Sequence, residues 1–238
     1  MIKPLVRRVI NFADRVFGLR ALMREDLPPP LLAGDRAVEF SWVVAELPAP
    51  PAAVIEVGCI ESVLSCVAAR RGNLVTAVDL RPIEYEMPGV TFIQGDINSI
   101  DFGERRFAAI INCSVMEHIG LAGRYNAAEE PDGDLQAMRR MSRLLLPDGI
   151  MILTVPVGRD MVCRPLHRIY GSQRLPLLLQ NYNVQKDEYW VKSDGRCWLK
   201  SSRQDAMAVV GSNDLYALGL FVLSAKADSL SGAAALSE

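Results

Sequence analysis

The strongest constraint on the fold of this chain is a regular alternation over residues 53–155, where short apolar runs are separated by stretches with helical periodicity. Such runs are typical of strands buried in a parallel sheet, because each crossover to the next parallel strand needs a long connection that is usually a helix. Strands are predicted at residues 53–57, 74–78, 90–93, 107–112 and 150–155, and helices at residues 61–71 and 134–146. The pattern predicts an α/β fold with a doubly wound sheet and helices on both of its faces.

Composition and charge narrow the classes of function. The 238 residues are 50% hydrophobic and 23% charged, which is typical of a globular domain and argues against a disordered chain. A formal net charge of -2 gives the whole molecule no attraction for polyanions, so nucleic acid is a disfavoured partner. The five cysteines form no CxxC pair and the chain has only two histidines, which disfavours a zinc site. We predict reduced thiols in a cytoplasmic protein.

The N-terminal segment differs in character from the rest of the chain. Its basic residues interrupt every apolar stretch that would be long enough for a secretion signal. Apolar residues recur there at helical spacing, so residues 1–30 are predicted to be a basic amphipathic helix followed by a proline-rich linker, and residues 31–238 to be a single domain. The apolar face of this helix has three candidate partners, which are its own domain, a second subunit in a homodimer, and an anionic membrane surface.

Acidic residues end or follow four of the predicted strands. They are Glu56, Asp79, Asp96 and Glu117. In open α/β sheets, ligands bind beyond the carboxyl ends of the strands. Asp79 stands about 20 residues after Glu56, near the offset at which an acidic side chain accepts hydrogen bonds from a ribose diol. We therefore expect a nucleoside ligand at this edge of the sheet.

The turn after the first predicted strand distinguishes between nucleoside cofactors. Dinucleotide-binding folds use G-x-G-x-x-G there, because its glycines let the backbone approach a pyrophosphate. This chain has Gly58-Cys59-Ile60-Glu61-Ser62 instead. The Ile60 side chain would crowd a pyrophosphate and the Glu61 carboxylate would repel it, so NAD and FAD are disfavoured. S-adenosylmethionine has no phosphate and carries a sulfonium cation, and a rim of carboxylates suits it.

Five segments, in the right order, resemble the motifs of the class I S-adenosylmethionine-dependent methyltransferases. They are VIEVGCIES, VTAVDLRP, TFIQGDI, FAAIINCSVMEHIG and LQAMRRMSRLLLPDGIMILTVP, and the resemblance runs over residues 53–156. It implies a Rossmann-like sheet of about seven strands, mostly parallel, with an antiparallel last strand for which residues 218–225 are the candidate. It also implies an enzyme that uses S-adenosyl-L-methionine as methyl donor and releases S-adenosyl-L-homocysteine.

The resemblance assigns cofactor-binding roles residue by residue. The set is Glu56, Gly58, Cys113 and Ser114 for the methionine part, Asp79 for the ribose hydroxyls, Asp96 and the amide of Ile97 for the adenine, and the adjoining Cys59 and Leu80. All of these residues lie at or just after the ends of predicted strands, where the cofactor of this family would bind.

The acceptor must be inferred from what lies outside the common core. Residues 157–195 are predicted to be an insertion after the fifth strand, rich in arginine, histidine and aromatic residues: Arg159, Arg164, His167, Arg168, Tyr170, Arg174, Tyr182, Tyr189 and Trp190. Aromatic faces stack on sugar rings, and arginine forks bind hydroxyl or carboxylate groups. The segment RPLHRIYGSQRLPLLL is also similar to one in methyltransferase-like proteins of a bacterial and nematode domain family of unknown function that is associated with glycans. The predicted acceptor is a hydroxyl of a sugar or glycoconjugate.

An aliphatic hydroxyl is a poor nucleophile until a base takes its proton. The candidate catalytic residues are His118, His167 and Glu117, each of which also suits a structural role in its turn, in packing or at a helix start. Asp132 and Asp134 suit a helix N-terminus as well as they suit a metal, so no metal is predicted. Two alternatives stay open: a carboxyl or N-methyltransferase acting on a small molecule, and a catalytically degenerate interaction protein with this fold.

Overall fold

The structure, a computed structural model, describes residues 34–123, 125, 129–193 and 197–227. The predicted basic helix and linker of residues 1–30 lie outside the described residues, and the domain boundary after them stays a prediction. The strands are β1 (Ala53–Val57), β2 (Leu74–Asp79), β3 (Val90–Gln94), β4 (Phe107–Cys113), β5 (Leu145–Val157), β6 (Met161–Cys163), β7 (His167–Ile169), β8 (Tyr182–Ser193), β9 (Cys197–Ser201) and β10 (Ala217–Ala225). The helices are α1 (Asp35–Glu46), α2 (Leu64–Arg70), α3 (Gly133–Leu144), α4 (Arg174–Leu178) and α5 (Arg203–Ala208).

Eight strands form one sheet in the order β3-β2-β1-β4-β5-β10-β8-β9. Strands β1 to β5 pair in parallel, whereas β10 is antiparallel to both β5 and β8. The predicted parallel sheet with an antiparallel last strand is therefore confirmed, and β10 is the strand that was expected at residues 218–225. Strand β9 pairs antiparallel with β8 at the edge and extends the sheet beyond the predicted strands.

Both faces of the sheet are apolar because helices cover both. Val54 belongs to a buried cluster that includes Val43 from α1 and Leu64 from α2. The next residue along β1, Ile55, belongs to the cluster on the other face, which includes Met138 from α3. Successive side chains of a strand point to opposite faces, so β1 must be apolar at consecutive positions. None of the described helices is long and apolar enough to cross a membrane.

The sheet order reverses between β1 and β4, since β2 and β3 lie on one side of this pair and β5 lies on the other. Connections that leave two adjacent parallel strands in opposite directions open a crevice at the carboxyl ends of those strands. This crevice is the site that the sequence predicts for a nucleoside.

The region predicted as an insertion, residues 157–195, is only partly one. Its first part forms the β6–β7 hairpin and α4, but from Tyr182 onward it is β8, a strand of the main sheet. Strand β8 carries charged side chains such as Lys186 and Asp187, so it lacks the continuous apolar run that identified β1 to β5.

Candidate functional site

A cavity of about 240 Å³ lies at the carboxyl ends of β1 to β4. Seven of the nine predicted cofactor residues line it: Gly58, Asp79, Leu80, Asp96, Ile97, Cys113 and Ser114. Of the three predicted catalytic residues, His118 lines it. Residues from four strand ends that are distant in sequence therefore line the same cavity.

Gly58 has a steric reason to be glycine. Its φ is +82°, in the left-handed region that other residues rarely adopt, and a Cβ there would lie 2.3 Å from Cγ2 of Val115. The turn after β1 thus approaches the loop after β4 too closely for a side chain. Ile60, which was expected to crowd a pyrophosphate at this turn, does not line the cavity and packs instead against a small apolar cluster that includes Met87.

The Asp79 carboxylate at the end of β2 is held in a fixed orientation. Oδ2 accepts a hydrogen bond from the Ile60 amide at 3.1 Å, and Oδ1 accepts one from the Arg81 amide at 3.0 Å. The Arg81 side chain also donates from Nε to Oδ1 at 3.3 Å. Because backbone groups of two loops bind it, this carboxylate is preorganised to accept further hydrogen bonds from a ligand.

Arg81 was not singled out by the sequence, yet it forms part of the cavity wall. Its Nη1 donates to Oε1 of Glu61 at 2.9 Å, and its guanidinium lies 4.4 Å from the centre of the Tyr125 ring. Glu61, which was predicted only to repel a pyrophosphate, therefore has a cationic partner. The lining remains more acidic than basic, with carboxylates from Glu61, Asp79, Asp96 and Glu130 against guanidinium groups from Arg36 and Arg81.

Two predicted cofactor residues do not line the cavity. Glu56 is 1% exposed, and its Oε2 accepts hydrogen bonds from the amide of Ser65, at 2.7 Å, and from the Ser65 hydroxyl. Glu56 thus binds the first turn of α2, and burial raises the pKa of its carboxyl group above the ordinary value. Cys59 is fully buried, and burial together with the nearby carboxylates raises the pKa of its thiol to about 12.

Helix α1 contributes a cation to the cavity wall that no sequence motif predicts. Arg36 lines the cavity, and its Nη1 lies 2.8 Å from Oε2 of Glu39 and 3.5 Å from the carbonyl oxygen of Cys113. Burial alone would lower the pKa of the Arg36 guanidinium, but the nearby Glu39 carboxylate and the other acidic groups around Arg36 together raise it. Arg36 lies in no recognised motif and reaches the site through a contact between residues 77 positions apart.

His118 lies in a short 3-10 helix, Met116–His118, that follows β4. Its Nδ1 is 2.6 Å from the carbonyl oxygen of Leu166. A carbonyl oxygen can only accept, so Nδ1 carries the proton, and in the neutral ring Nε2 carries the lone pair. The β6–β7 connection therefore fixes the tautomer of a histidine at the cavity wall, as a general base requires.

The other two predicted catalytic residues lie outside the cavity lining. His167 is 6% exposed in β7, with its ring centre 5.3 Å from that of Tyr216. Glu117 is 2% exposed, and its Oε1 lies 3.7 Å from Nε2 of His118. Glu117 is thus placed to act on His118 rather than on a ligand, and His167 is placed as a packing residue.

The basic and aromatic residues predicted to bind a sugar are largely internal. Arg174 binds the buried carboxylate of Asp134 at 2.5 Å from Nη2 and 3.0 Å from Nε, and the Tyr170 hydroxyl donates to the same carboxylate at 3.0 Å. The Arg168 side chain is 3% exposed, and its Nη1 donates to the carbonyl oxygen of Ile119 at 2.6 Å. These side chains fasten the β6–β7 hairpin and α4 to the start of α3. The expectation that they bind an acceptor is not met for Arg168, Tyr170 and Arg174, because each of these side chains binds groups inside the protein.

Asp134 and Asp132, considered above as helix-start or metal-binding residues, lie at the start of α3. Asp134 is fully buried and bound by Arg174 and Tyr170, whereas the Asp132 side chain is 64% exposed and lies 3.2 Å from Nη2 of Arg174. Among the described residues, no group of three or more metal-ligating side chains comes together.

One family model matches the chain. It is described as "Caenorhabditis protein of unknown function, DUF268" and matches residues 92–216, which is more than half of the sequence. The match includes the His118 turn, the β6–β7 hairpin and β8, and begins after the Gly58 and Asp79 strand ends.

Individual proteins to which this chain is similar are methyltransferases. A ubiquinone biosynthesis O-methyltransferase from Xanthomonas campestris pv. campestris is 24% identical over 197 residues, covering 78% of this chain and 76% of that protein. The N-methyltransferase NodS from Bradyrhizobium japonicum, solved with S-adenosyl-L-homocysteine, superposes with a TM-score of 0.54 at 15% identity over 85% of this chain and 91% of its own. A 1,6-didemethyltoxoflavin-N1-methyltransferase from Burkholderia thailandensis, also with bound S-adenosylhomocysteine, gives a TM-score of 0.50 at 17% identity over 95% and 92%. The Rossmann-like methyltransferase fold predicted from the sequence is thereby confirmed.

Proposed function

This chain belongs to the DUF268 family, and from that premise, its fold and its cavity we propose that it is an S-adenosylmethionine-dependent methyltransferase acting on a hydroxyl group of a small molecule. The observation that carries the proposal is the cavity at the strand ends, which brings the carboxylates of Asp79 and Asp96 together with the guanidinium of Arg36. His118, whose tautomer is fixed by the Leu166 carbonyl, lines the same cavity. Fold alone would not carry it, since one fold hosts many functions.

The lining residues match the chemical groups of S-adenosylmethionine one by one. The fixed carboxylate of Asp79 suits a ribose diol, and Leu80 and Ile97 offer apolar surface beside Asp96 for a flat heterocycle. The guanidinium of Arg36 suits the carboxylate of the amino-acid part. The excess of acidic side chains suits the sulfonium cation and disfavours a pyrophosphate.

His118 carries the acid–base part of the reaction. When bound, S-adenosylmethionine supplies a methyl group on a positively charged sulfur, which makes the methyl carbon electrophilic. His118 takes the proton of the acceptor hydroxyl at Nε2 while the Leu166 carbonyl holds Nδ1–H, so the acceptor oxygen becomes a better nucleophile. The Glu117 carboxylate, 3.7 Å from Nε2, stabilises the imidazolium that results. The products are a methyl ether and S-adenosylhomocysteine, and His118 afterwards returns its proton to solvent.

His118 also bears on the class of the acceptor. A sugar or glycoconjugate hydroxyl is the first class to test, because an aliphatic alcohol needs the proton acceptor that His118 supplies. Stacking on Tyr170, Tyr182 or Tyr189 does not support this choice, since all three rings are buried. An amine or a carboxylate on a small molecule is the second candidate, favoured by the N-methyltransferase NodS among proteins with this fold. A carboxylate acceptor needs no base, so it would leave His118 without a catalytic role.

The proposed reaction is tested by mass spectrometry. Purified protein is incubated with S-adenosylmethionine and a panel of sugars, amines and carboxylic acids, and a gain of one CH2 on a sugar is the expected result. A gain on amines or carboxylates alone would replace the acceptor class. If S-adenosylhomocysteine binds but no acceptor in any class gains mass, while cell extracts also yield no methylated product, the interaction-protein alternative replaces the enzyme.

A further inference from the structure

Glu39 of α1 is a charged residue with no exposed surface, and its two carboxylate oxygens serve different parts of the fold. Oε2 accepts from Nη1 of Arg36 at 2.8 Å. Oε1 accepts from the Thr154 hydroxyl in β5 at 2.6 Å and from the hydroxyl of Ser114, just after β4. One buried carboxylate thus joins α1 to β5 and to the turn after β4, and Ser114 of that turn lines the cavity.

This carboxylate is not needed to attach α1 to the sheet. Val38, Trp42 and Val43 of the same helix are buried in the apolar cluster on that face. Burying an ionised group is unfavourable unless charged and hydrogen-bonding partners compensate, and an apolar side chain would fill the same position without that requirement. The carboxylate is therefore better explained by what it holds in place than by the stability that it adds.

Glu39 holds two groups that line the cavity. The Arg36 side chain is 42% exposed and would sample many rotamers without a partner. Ser114 has φ +50°, a left-handed conformation that is uncommon for residues other than glycine, and its amide donates to Oγ1 of Thr154 at 3.0 Å. The hydrogen bonds of Glu39 therefore fix the rotamer of Arg36 and the backbone conformation of Ser114.

We propose that Glu39 is a positioning residue that holds Arg36 and the Ser114 turn for the carboxylate of the cofactor's amino-acid part. The proposal rests on the function proposed above, since it requires that the cavity bind S-adenosylmethionine or S-adenosylhomocysteine. Its consequence is selective: the affinity for ligands that carry the carboxylate depends on Glu39, and the affinity for the same nucleoside without it does not.

Calorimetric titration with two ligands tests this selectivity. S-adenosylhomocysteine is compared with its decarboxylated analogue, which keeps the nucleoside, the sulfur and the amine. Glu39→Gln is expected to weaken the binding of S-adenosylhomocysteine by about tenfold, which is the size expected for a hydrogen bond to a charged group. It is expected to weaken the binding of the decarboxylated analogue by less than about twofold. Glu46→Gln is the matched control, because Glu46 lies in the same helix and pairs with Lys186 away from the cavity lining. It is expected to leave both affinities unchanged.

A double variant tests whether Glu39 acts through Arg36. Arg36→Met alone is expected to weaken binding of the carboxylate ligand by about tenfold or more. Arg36→Met/Glu39→Gln is expected to weaken it by less than the sum of the two single effects on the binding free energy, whereas independent roles would add. If Glu39→Gln does not fold, Thr154→Val, which removes one donor to Oε1, is expected to give the same selective loss at about threefold.

The outcomes separate the positioning role from the proposed function. Equal weakening of both ligands by Glu39→Gln, or additive losses in the double variant, would mean a structural role only and would overturn the inference. Equal affinity of the wild type for both ligands would also overturn it while leaving nucleoside binding intact. Failure of the wild type to bind either ligand would overturn the proposed function itself.

Discussion

Asp134 is the residue whose replacement should destabilise the fold most clearly. Its fully buried carboxylate accepts two hydrogen bonds from Arg174 and one from Tyr170, and Oδ2 lies 3.9 Å from Nε of the buried Arg168. Asp134→Asn keeps the volume and removes the charge, so the buried Arg168 guanidinium loses its counter-ion and an amide N–H2 faces cationic donors. Breaking a buried pair in this way costs about 3–5 kcal/mol.

The expected loss is measured as a shift in Tm. For a domain of this length, each kcal/mol lowers Tm by about 2–4 °C, so Asp134→Asn should melt about 6–20 °C below the wild type by circular dichroism or scanning calorimetry. Asp132→Asn is the matched control, because the Asp132 side chain is 64% exposed and exposed ion pairs contribute about 0–1 kcal/mol. A shift for Asp134→Asn no larger than that of the control would mean that the buried carboxylate does not stabilise the fold through Arg168 and Arg174.

Substitutions at His118, Gly58 and Glu56 test residues in and beside the cavity. His118→Ala is expected to lower the turnover number for methyl transfer by about 10²–10⁴-fold in steady-state assays and to keep the affinity for S-adenosylhomocysteine. His167→Ala is the control and is expected to change turnover by less than about threefold. A similar loss in both variants would contradict the assignment of His118. Gly58→Ala is expected to abolish S-adenosylhomocysteine binding, because its Cβ would overlap Val115. Gly103→Ala is the control, since Gly103 also has a positive φ, +56°, but no atom lies within 4 Å of its Cβ position, so it carries only the backbone cost of about 1 kcal/mol. Equal effects of the two substitutions on ligand titration and on Tm would contradict the steric argument. Burial raises the pKa of the Glu56 carboxyl above its unfolded value, which is near 4.3. Between the unfolded pKa and the raised folded pKa, the folded state binds more protons than the unfolded state, so the free energy of unfolding falls as the pH rises through this range. Glu56→Gln should therefore gain stability relative to the wild type between acid and neutral pH in urea unfolding, and a constant difference across the pH range would contradict this.

The core of the fold could be predicted because its strands are buried on both faces. Runs such as residues 53–57 and 107–112 are then apolar at consecutive positions, and each is followed by the polar residues of a strand end. Strand β8 was missed because it is amphipathic and charged, a pattern that also fits a surface loop. The physical reason is that sequence periodicity reports burial, and the outer strands of the sheet are only partly buried.

Site residues could be predicted from the sequence where they belong to a short motif at the end of a strand. Gly58 and Asp79 lie at strand ends that a short motif identifies, and both line the cavity. Arg36 and Arg168 could not be assigned, because an arginine has the same sequence signal whether it binds a ligand or a buried carboxylate. Only the long-range contacts, such as the one between Arg168 and the carbonyl of Ile119, separate the two roles.

Calorimetric titration of the wild-type protein with S-adenosylhomocysteine, repeated on Asp79→Ala, tests whether the cavity binds the nucleoside. We expect saturable binding of one ligand per chain in the wild type and its loss in Asp79→Ala, since the fixed carboxylate at the end of β2 is proposed to bind the ribose. Absence of saturable binding in the folded wild type, or equal binding in both proteins, would contradict this expectation.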